Sequence, residues 1–262
     1  MMAEQKYLVS VVIATYHRLD YLKITIDSIL NQSYKNFEIV IVGDGHQQDV
    51  EDYVSAIHND KVFYHYVEHC GYPAKARNFG IEKAKGEYIA FCDDDDLWKK
   101  EKLEVQITVM QSHLQIALSC TNRYTIDENG KKIKEQALRK PINRSLSSLL
   151  ISNYITCSSV VVRRDILEKT GLFPDTPIFK AGEDYHLWIR VVYYGNAYFI
   201  DEPLVGYRVH TGNITTQLSQ GARRNIVMFK DVFSHIRVPI VLRCLANIVA
   251  LIKFFYYKLK YI

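Results

Sequence analysis

Short apolar runs alternate with segments of helical spacing through the first part of the chain, and this alternation constrains the fold more than any other feature. Residues 8–14, 37–42, 62–67 and 88–91 are rich in β-branched and aromatic residues, which is typical of strands buried on both faces. Helices are predicted between and around them, over residues 21–32, 50–58 and 74–84. Repeated strand and helix units predict an α/β fold with a mainly parallel central sheet wound with helices, whose ligands bind at the carboxyl ends of the strands.

Four consecutive carboxylates, Asp93 to Asp96, follow directly on the last of these runs. Crowded carboxylates repel one another unless a cation or hydrogen-bond donors hold them. A hard divalent ion bound by one or two carboxylates, and completed by phosphate oxygens and water, satisfies such a cluster. The alternative is a solvated acidic turn, and Asp96 is expected to cap a helix that begins at Leu97. The run therefore indicates either a metal site for a phosphate-bearing substrate or a turn.

Polar residues also follow the first two predicted strands. Tyr16 lies within residues 15–18, after the first strand, and Asp44 lies between two glycines, after the second. The ends of parallel strands meet at one edge of a sheet, so these side chains are expected to approach the acid run. Tyr16 could stack on a base and Asp44 could accept a hydrogen bond from its edge. An ordinary loop aromatic and a turn residue are the alternatives, but the convergence favours a nucleotide site.

The composition is that of a folded protein with a sizeable core, either one large α/β domain or two small lobes, since 48% of the 262 residues are hydrophobic. Residues 1–6 are polar and the apolar stretch 7–15 is short, so no signal peptide is expected and the cytoplasm is the predicted location. The five cysteines form no CxxC pair, which predicts buried free thiols rather than a disulfide framework or a zinc site.

With these residues in place, the chain resembles the family 2 glycosyltransferases, inverting enzymes of the GT-A fold that use a nucleotide-activated sugar. The similar segments are 10–18, 28–34, 37–45, 76–81 and 86–91, and the acid run falls where that family has its DxD motif. The resemblance implies a catalytic domain over 1–216, with a nucleotide-binding part at 7–98 and an acceptor-binding part at 99–216. A basic and aromatic helical extension over 217–262 follows it.

The resemblance also implies roles for the strand-end residues. Tyr16 would stack on the base, Asp44 would read the edge of the base, Asp94 would meet the ribose and Asp95 would ligate a divalent metal. Asp93 is the first acid of the motif, and its role as ligand or as support is left open. Mn²⁺ and Mg²⁺ are both compatible with oxygen ligands.

The identity of the base is less constrained. Family members often carry a second Asp before the position that matches Asp44, and this chain has Gly43 there. Uridine is the commonest base in the family, so the resemblance implies a UDP-sugar.

A Glu183–Asp184 pair in the second half of the chain supplies a candidate acceptor-activating base. In an inverting transfer, one carboxylate takes the proton of the acceptor hydroxyl. The alternative is that the pair only opens a helix over 185–194, where acids favour the N-terminus. The surrounding sequence also resembles the family, which implies that Asp184 is the base and that Glu183 supports the acceptor pocket.

Three basic residues complete the candidate site. The resemblance places Arg77 near the diphosphate, with a solvated helix charge as the alternative. His210, within the Tyr-Arg-x-His-x-x-Asn pattern at 207–213, would approach the metal or diphosphate. Arg208 would supply positive charge to the leaving group, with a structural ion pair as the alternative.

The C-terminal tail, residues 223–262, is strongly basic, because it holds eight Lys or Arg against the single acid Asp231. Their net charge is therefore +7, which leaves −3 for the rest of the chain. The longest neutral stretch in 240–262 is far short of a transmembrane span. Peripheral contact of 237–262 with an anionic membrane, at its inner face, is favoured over packing on the domain or on a second subunit.

The sequence and this resemblance thus predict a metal-dependent inverting glycosyltransferase with a nucleotide-sugar donor and a glycan or lipid-linked acceptor. A place in polysaccharide assembly is implied by the resemblance alone. No nucleic-acid partner is expected, and the oligomeric state is left open. A nucleotidyltransferase and a non-catalytic sugar-nucleotide or membrane-surface binding module are the alternatives. The first usually carries a Gly-rich basic signature that residues 15–18 lack, and the Glu183–Asp184 pair argues against the second.

Overall fold

The computed structural model describes residues 6–135, 142–210 and 218–260, and its strands join into one ten-stranded sheet. The strands are β1 Val9–Thr15, β2 Phe37–Asp44, β3 Val62–Val67, β4 Tyr88–Asp93, β5 Leu97–Trp98, β6 Ile116–Ile126, β7 Lys132–Glu135, β8 Ile142–Arg144, β9 Val160–Arg163 and β10 Asn196–Arg208. The helices are α1 Leu19–Leu30, α2 Gln48–Ile57, α3 Pro73–Lys83, α4 Lys102–Ser112, α5 Leu146–Ile151, α6 Arg164–Thr170, α7 Glu183–Tyr194, α8 Leu218–His235 and α9 Ile240–Lys260.

The sheet has the order β3-β2-β1-β4-β9-β6-β10-β5, with β7 beside β6 and β8 beside β10. The pairs among β1 to β4 are all parallel, as is the β6–β10 pair, whereas β9 runs antiparallel to both of its neighbours. This confirms the predicted α/β class and the mainly parallel sheet. The sheet runs through both predicted parts of the catalytic domain, and the boundary proposed at 216 lies outside the described residues.

The predicted strands and helices of the first hundred residues form because their local patterns match their burial. Every residue of β2 is buried, as expected for an apolar strand covered on both faces. The α1 helix instead buries one face, through Leu22, Ile26 and Ile29, and leaves the other face to solvent. Local periodicity is therefore sufficient to place these elements.

The prediction of a helix from Leu97, capped by Asp96, is wrong. Leu97–Trp98 is a two-residue strand that pairs with Val205 and Gly206 of β10, and the helix begins later, at Lys102. The Trp98 indole donates a hydrogen bond to the carbonyl oxygen of Ser158, 2.9 Å away. Contacts with residues distant in the chain thus override the helical spacing.

Gly86 lies where the chain approaches β1 too closely for a side chain. A Cβ at this position would lie 2.5 Å from the carbonyl oxygen of Leu8 and 2.7 Å from the amide nitrogen of Ser10. We expect Gly86→Ala to lower the free energy of unfolding by ~1–3 kcal/mol, because the paired strand cannot move aside. Urea denaturation would measure this loss, and Glu82→Ala, an exposed change on α3, should shift it by less than ~0.5 kcal/mol. Equal effects of the two changes would contradict the close approach.

Candidate active site

The ends of β1, β2 and β4 bring the polar residues of the first half of the chain to one edge of the sheet. The parallel register sets Ala14 beside Val42 and Asp93, so Asp44 and the acid run lie at the same edge of the sheet. The hydroxyl group of Thr15 donates a hydrogen bond to Asp94, with an oxygen–oxygen distance of 2.8 Å. The strand ends therefore form one contiguous polar surface.

The acid run is held in place mainly by donors from α1 and the segment before it. Arg18, just before α1, lies 3.0 Å from the carboxylate of Asp95 and 3.4 Å from that of Asp94. The Thr25 hydroxyl lies 3.0 and 2.9 Å from the carbonyl oxygens of Asp94 and Asp96. These contacts turn the backbone after β4 and bury three of its four acids, while Asp93 stays half-buried.

Burial raises the pKa values of the acid run. Desolvation, followed by repulsion from Asp95, raises the pKa of Asp94 to about 7. Burial and the neighbouring Asp93 also raise the pKa of Asp95. The pKa of Asp96 is raised well above its ordinary value for the same reasons. Crowded carboxylates in this state favour a bound cation, which would offset their repulsion.

Asp95 and His210 are brought together from the two predicted parts of the catalytic domain. The Asp95 Oδ2 and His210 Nε2 atoms are 2.9 Å apart, and both side chains are largely buried. A carboxylate oxygen and an imidazole nitrogen fit a divalent ion that takes its other ligands from phosphate and water. In residues 6–135, 142–210 and 218–260, no group of three or more His, Cys, Asp or Glu could hold a metal without such added ligands. Thr211 and Asn213 of the same sequence pattern lie outside the described residues.

Arg208 lies beneath the acid run and is 1% exposed. Its guanidinium donates hydrogen bonds to the carbonyl oxygens of Asp95, Asp127 and Glu128, and its backbone N–H donates to a carboxylate oxygen of Asp96. These hydrogen bonds give Arg208 a structural role, in which its guanidinium holds backbone carbonyl oxygens. Asp96 likewise anchors β10 to the acid run.

The predicted base-binding residues lie beside a loop that the sequence did not single out. The Asp44 carboxylate accepts hydrogen bonds from the backbone N–H groups of Cys70, at 2.7 Å, and Gly71, at 2.8 Å. The His69 ring lies 3.1 Å from the same carboxylate and stacks on Tyr16, with ring centroids 4.5 Å apart. Tyr16 is 46% exposed, so its ring remains accessible beside this loop.

Arg77 joins the acid run to the Glu183–Asp184 pair. Its buried guanidinium lies 2.6 Å from a carboxylate oxygen of Asp93 and 2.8 Å from one of Glu183. The ring of Phe173 packs against it, 5.4 Å from the guanidinium carbon. The solvated alternative for Arg77 is therefore excluded, and the two predicted acidic sites are neighbours in the structure.

Asp184 lies half-buried in the first turn of α7. Burial and the adjacent Glu183 raise its pKa to about 7, while Arg77 acts in the opposite direction. Ala181, three residues before Asp184, has a φ of 61°, which is unusual for a residue other than glycine. Helix opening and a catalytic role are compatible here, since a carboxylate with this pKa can exchange a proton near neutral pH.

The C-terminal extension reaches the segment that carries Asp184. The His186 and Asp231 side chains lie 2.7 Å apart, which links α7 to α8. Arg224 of α8 packs against Gly182 and donates a hydrogen bond to the carbonyl oxygen of Lys180. Helix α8 of the extension is thus packed against the segment that carries Asp184.

Arg18 and His69 are the site residues that sequence reasoning missed. Arg18 stands at the end of the polar segment after β1, where its position beside a strand end was a usable signal. His69 had no such signal, because its contacts with Asp44 and Tyr16 depend on how the loop after β3 folds back.

Comparisons with known proteins bear on the family and the fold. A family model described as glycosyl transferase family 2 matches residues 10–171. The glucosyltransferase WfaP of Escherichia coli, named for UDP-Glc and α-D-GlcNAc-diphosphoundecaprenol, is 32% identical over 79% of this chain and 80% of its own length. An uncharacterized glycosyltransferase of Rickettsia felis is 34% identical over 79% of this chain and 34% of its own length.

The share of each relative that is covered, and the structural alignment, limit what these similarities show. The chain spans only 26–34% of the length of three Rickettsia relatives, although it covers most of WfaP. The crystal structure of Staphylococcus aureus TarS 1-349 with UDP-GlcNAc aligns with a TM-score of 0.75 at 16% identity. That alignment covers 95% of this chain and 72% of TarS 1-349, and it supports the fold.

Proposed function

Because the chain belongs to glycosyl transferase family 2, we propose that it transfers a sugar from a nucleotide-sugar to an acceptor hydroxyl with inversion at the anomeric carbon. The observation that carries this proposal is the bridge from Asp93 through Arg77 to Glu183. It sets the acid run, suited to a diphosphate and its metal, beside a carboxylate whose pKa is about 7. Donor and acceptor chemistry can then occur in one cleft.

On the donor side, Tyr16 would stack on the base, Asp44 would accept a hydrogen bond from it, and Asp94 would bind the ribose. Asp95 and His210 would hold a divalent ion, Mn²⁺ or Mg²⁺. When bound, that ion would neutralise charge on the diphosphate leaving group. Asp93 and Arg77 would support the diphosphate end of the site.

On the acceptor side, Asp184 would take the proton of the acceptor hydroxyl as its oxygen bonds to the anomeric carbon. The bond between that carbon and the diphosphate oxygen breaks on the opposite face, and the electron pair leaves with the nucleoside diphosphate. Glu183 would orient this site through its contact with Arg77, 2.8 Å away. A base with a pKa near neutral is suited to this step.

The substrates are proposed by similarity. WfaP is named for UDP-Glc and a GlcNAc-diphosphoundecaprenol acceptor, and TarS was crystallised with UDP-GlcNAc. These names support a UDP-sugar donor and a lipid-linked glycan acceptor, in polysaccharide assembly. None of the helices in the described ranges combines the length and hydropathy needed to cross a bilayer. Contact of segment 237–262 with the membrane would bring the cleft to such an acceptor.

A thermal-shift titration tests the donor site. We expect UDP with Mn²⁺ or Mg²⁺ to raise the unfolding temperature, since a ligand at 100 times its Kd stabilises the folded state by about 2.7 kcal/mol. The chelator EDTA should remove most of this shift, and so should the isosteric Asp95→Asn, which removes the proposed ligand's charge.

GDP, CDP and dTDP serve as competitors in the same assay. A larger shift with one of them would correct the base assignment. No shift with any nucleotide would contradict the proposed function. An undiminished thermal shift in Asp95→Asn would contradict the assignment of Asp95 as a metal ligand.

A further inference from the structure

The outward face of α9 is apolar along its described length. Exposed positions recur every three or four residues from Val241 to Tyr256, and they include Leu245, Ile248 and Ile252, which are 40%, 52% and 62% exposed. We call this face the α9 stripe. At 1.5 Å per residue it is about 22 Å long. Apolar surface of this extent, rather than isolated exposed side chains, indicates an interaction site.

The rotation of α9 about its axis is fixed by its inward contacts. Ala246 and Ala250 are buried, and the two charged residues of Ile240–Tyr256 are half-buried. Arg243 donates a hydrogen bond to the carbonyl oxygen of Val238, and Lys253 donates one to that of Ile151, each at 2.8 Å. The stripe therefore faces away from the domain while the polar groups of this segment face it.

An apolar pocket opens beside the α9 stripe. It has a volume of about 300 Å³ and lies between α8 and α9, lined by Ile226, Val227, Leu251, Phe254 and Phe255. Leu251 and Phe255 belong to the stripe, and Val227 is 41% exposed on α8. Stripe and pocket thus form one continuous apolar surface.

Charge distinguishes between two possible partners of this surface. Residues 223–262 carry a net charge of +7, and their single acid, Asp231, contacts His186 of α7. Lys230 is exposed one turn beyond Val227, and Arg237 is exposed between the two helices. A second copy of the chain would bring two such cationic segments together, whereas an anionic lipid surface complements them.

We propose that the α9 stripe and the adjoining pocket bind the interfacial region of an anionic bilayer, with α9 lying in the membrane plane. The apolar side chains insert among acyl chains, while the exposed Lys230 and Arg237 contact lipid phosphates. This assignment deepens the proposed function, since it names the surface that holds the enzyme at a membrane containing its lipid-linked acceptor.

Vesicle flotation of the purified full chain tests the assignment. We expect it to float with phosphatidylcholine vesicles that contain phosphatidylglycerol, and to be released by added salt. Ile248→Gln/Ile252→Gln should weaken this binding at least ~10-fold, because each change replaces an exposed apolar side chain that the bilayer would cover. The matched control is Leu114→Gln/Ile133→Gln, which changes two apolar residues that are 77% and 61% exposed on the catalytic domain. It should bind as the wild type does.

Two results would overturn the assignment. One is vesicle binding that is absent in the wild type or unchanged in the stripe variant. The other is a wild-type dimer, seen by light scattering, that the stripe variant converts to a monomer without any vesicle binding. The UDP-dependent thermal shift separates this proposal from the proposed function: a normal shift without flotation contradicts only the lipid assignment, and flotation without a shift contradicts only the donor site.

Discussion

Replacing Asp184 by Asn is expected to slow sugar transfer by ~10²–10⁴-fold while leaving UDP binding intact. The amide cannot accept the proton of the acceptor hydroxyl, yet it keeps the size of the carboxyl group. The rate of UDP release from a UDP-sugar, with a GlcNAc-diphospholipid acceptor, measures the loss, and the UDP-dependent thermal shift tests donor binding. Asp49→Asn, an exposed acid in the first turn of α2, is the matched control.

Glu183→Gln distinguishes the two carboxylates of the pair. Glu183 accepts a hydrogen bond from Arg77. The side-chain amide of Glu183→Gln should therefore disturb the position of the base, and it should lower the rate less than Asp184→Asn does. A nearly inactive Glu183→Gln beside an active Asp184→Asn would reverse the assignment. Equal activity of Asp184→Asn and Asp49→Asn would remove Asp184 from the chemistry.

The raised pKa of Asp184 gives this prediction a pH dependence. Burial and Glu183 raise the value to about 7, so the wild-type rate should fall about tenfold per pH unit below that point as the base becomes protonated. The contribution of Asp184 to folding stability has the opposite pH dependence. A pKa that is higher in the folded state makes the Asp184 contribution to stability favourable at low pH and removes it as pH rises through about 7. Asp184→Asn should therefore unfold at a higher temperature than the wild type at pH 8, and a lower temperature would contradict the raised pKa.

Local sequence patterns predicted the sheet and its edge because each strand and helix of the first hundred residues carries its own periodicity. They failed at Asp96, where a partner from β10 decides the structure: its carboxylate accepts a hydrogen bond from the backbone of Arg208, 112 residues away. No pattern within 97–103 contains that contact. The helical spacing there was real, but pairing of Leu97–Trp98 with β10 competes with it.

Some features of the candidate site could likewise be predicted from the sequence, and others could not. The carboxylates at strand ends could be identified from position alone, because strand ends in a parallel sheet converge. The partners of Arg77 could not, since Glu183 is 106 residues away and reaches it only after α7 packs. The α9 stripe also required the structure. The charges of the tail show no clean face in the sequence, and only the inward contacts of Arg243 and Lys253 leave the outward side apolar.

Arg77→Ala is expected to lower the free energy of unfolding by ~3–5 kcal/mol, because it leaves Asp93 and Glu183 without the cation that lies between them. Glu183 and Arg77 are both buried, so water cannot replace the lost ion pairs. Urea denaturation at pH 7 measures the loss. Lys75→Ala, on the same helix, is the matched control, since Lys75 lies 3.7 Å from the largely exposed Glu68 and such pairs contribute ~0–1 kcal/mol.

A second test combines Arg77→Ala with Glu183→Gln. If the bridge carries the stability, the double variant should lose less than the sum of the two single losses, by ~0.5–3 kcal/mol. Additive losses, or an Arg77→Ala cost no larger than that of Lys75→Ala, would mean that α3 and α7 are held together without the bridge. The acid run and the Asp184 segment would then be neighbours through packing alone, and the charge on Arg77 would be available to the diphosphate.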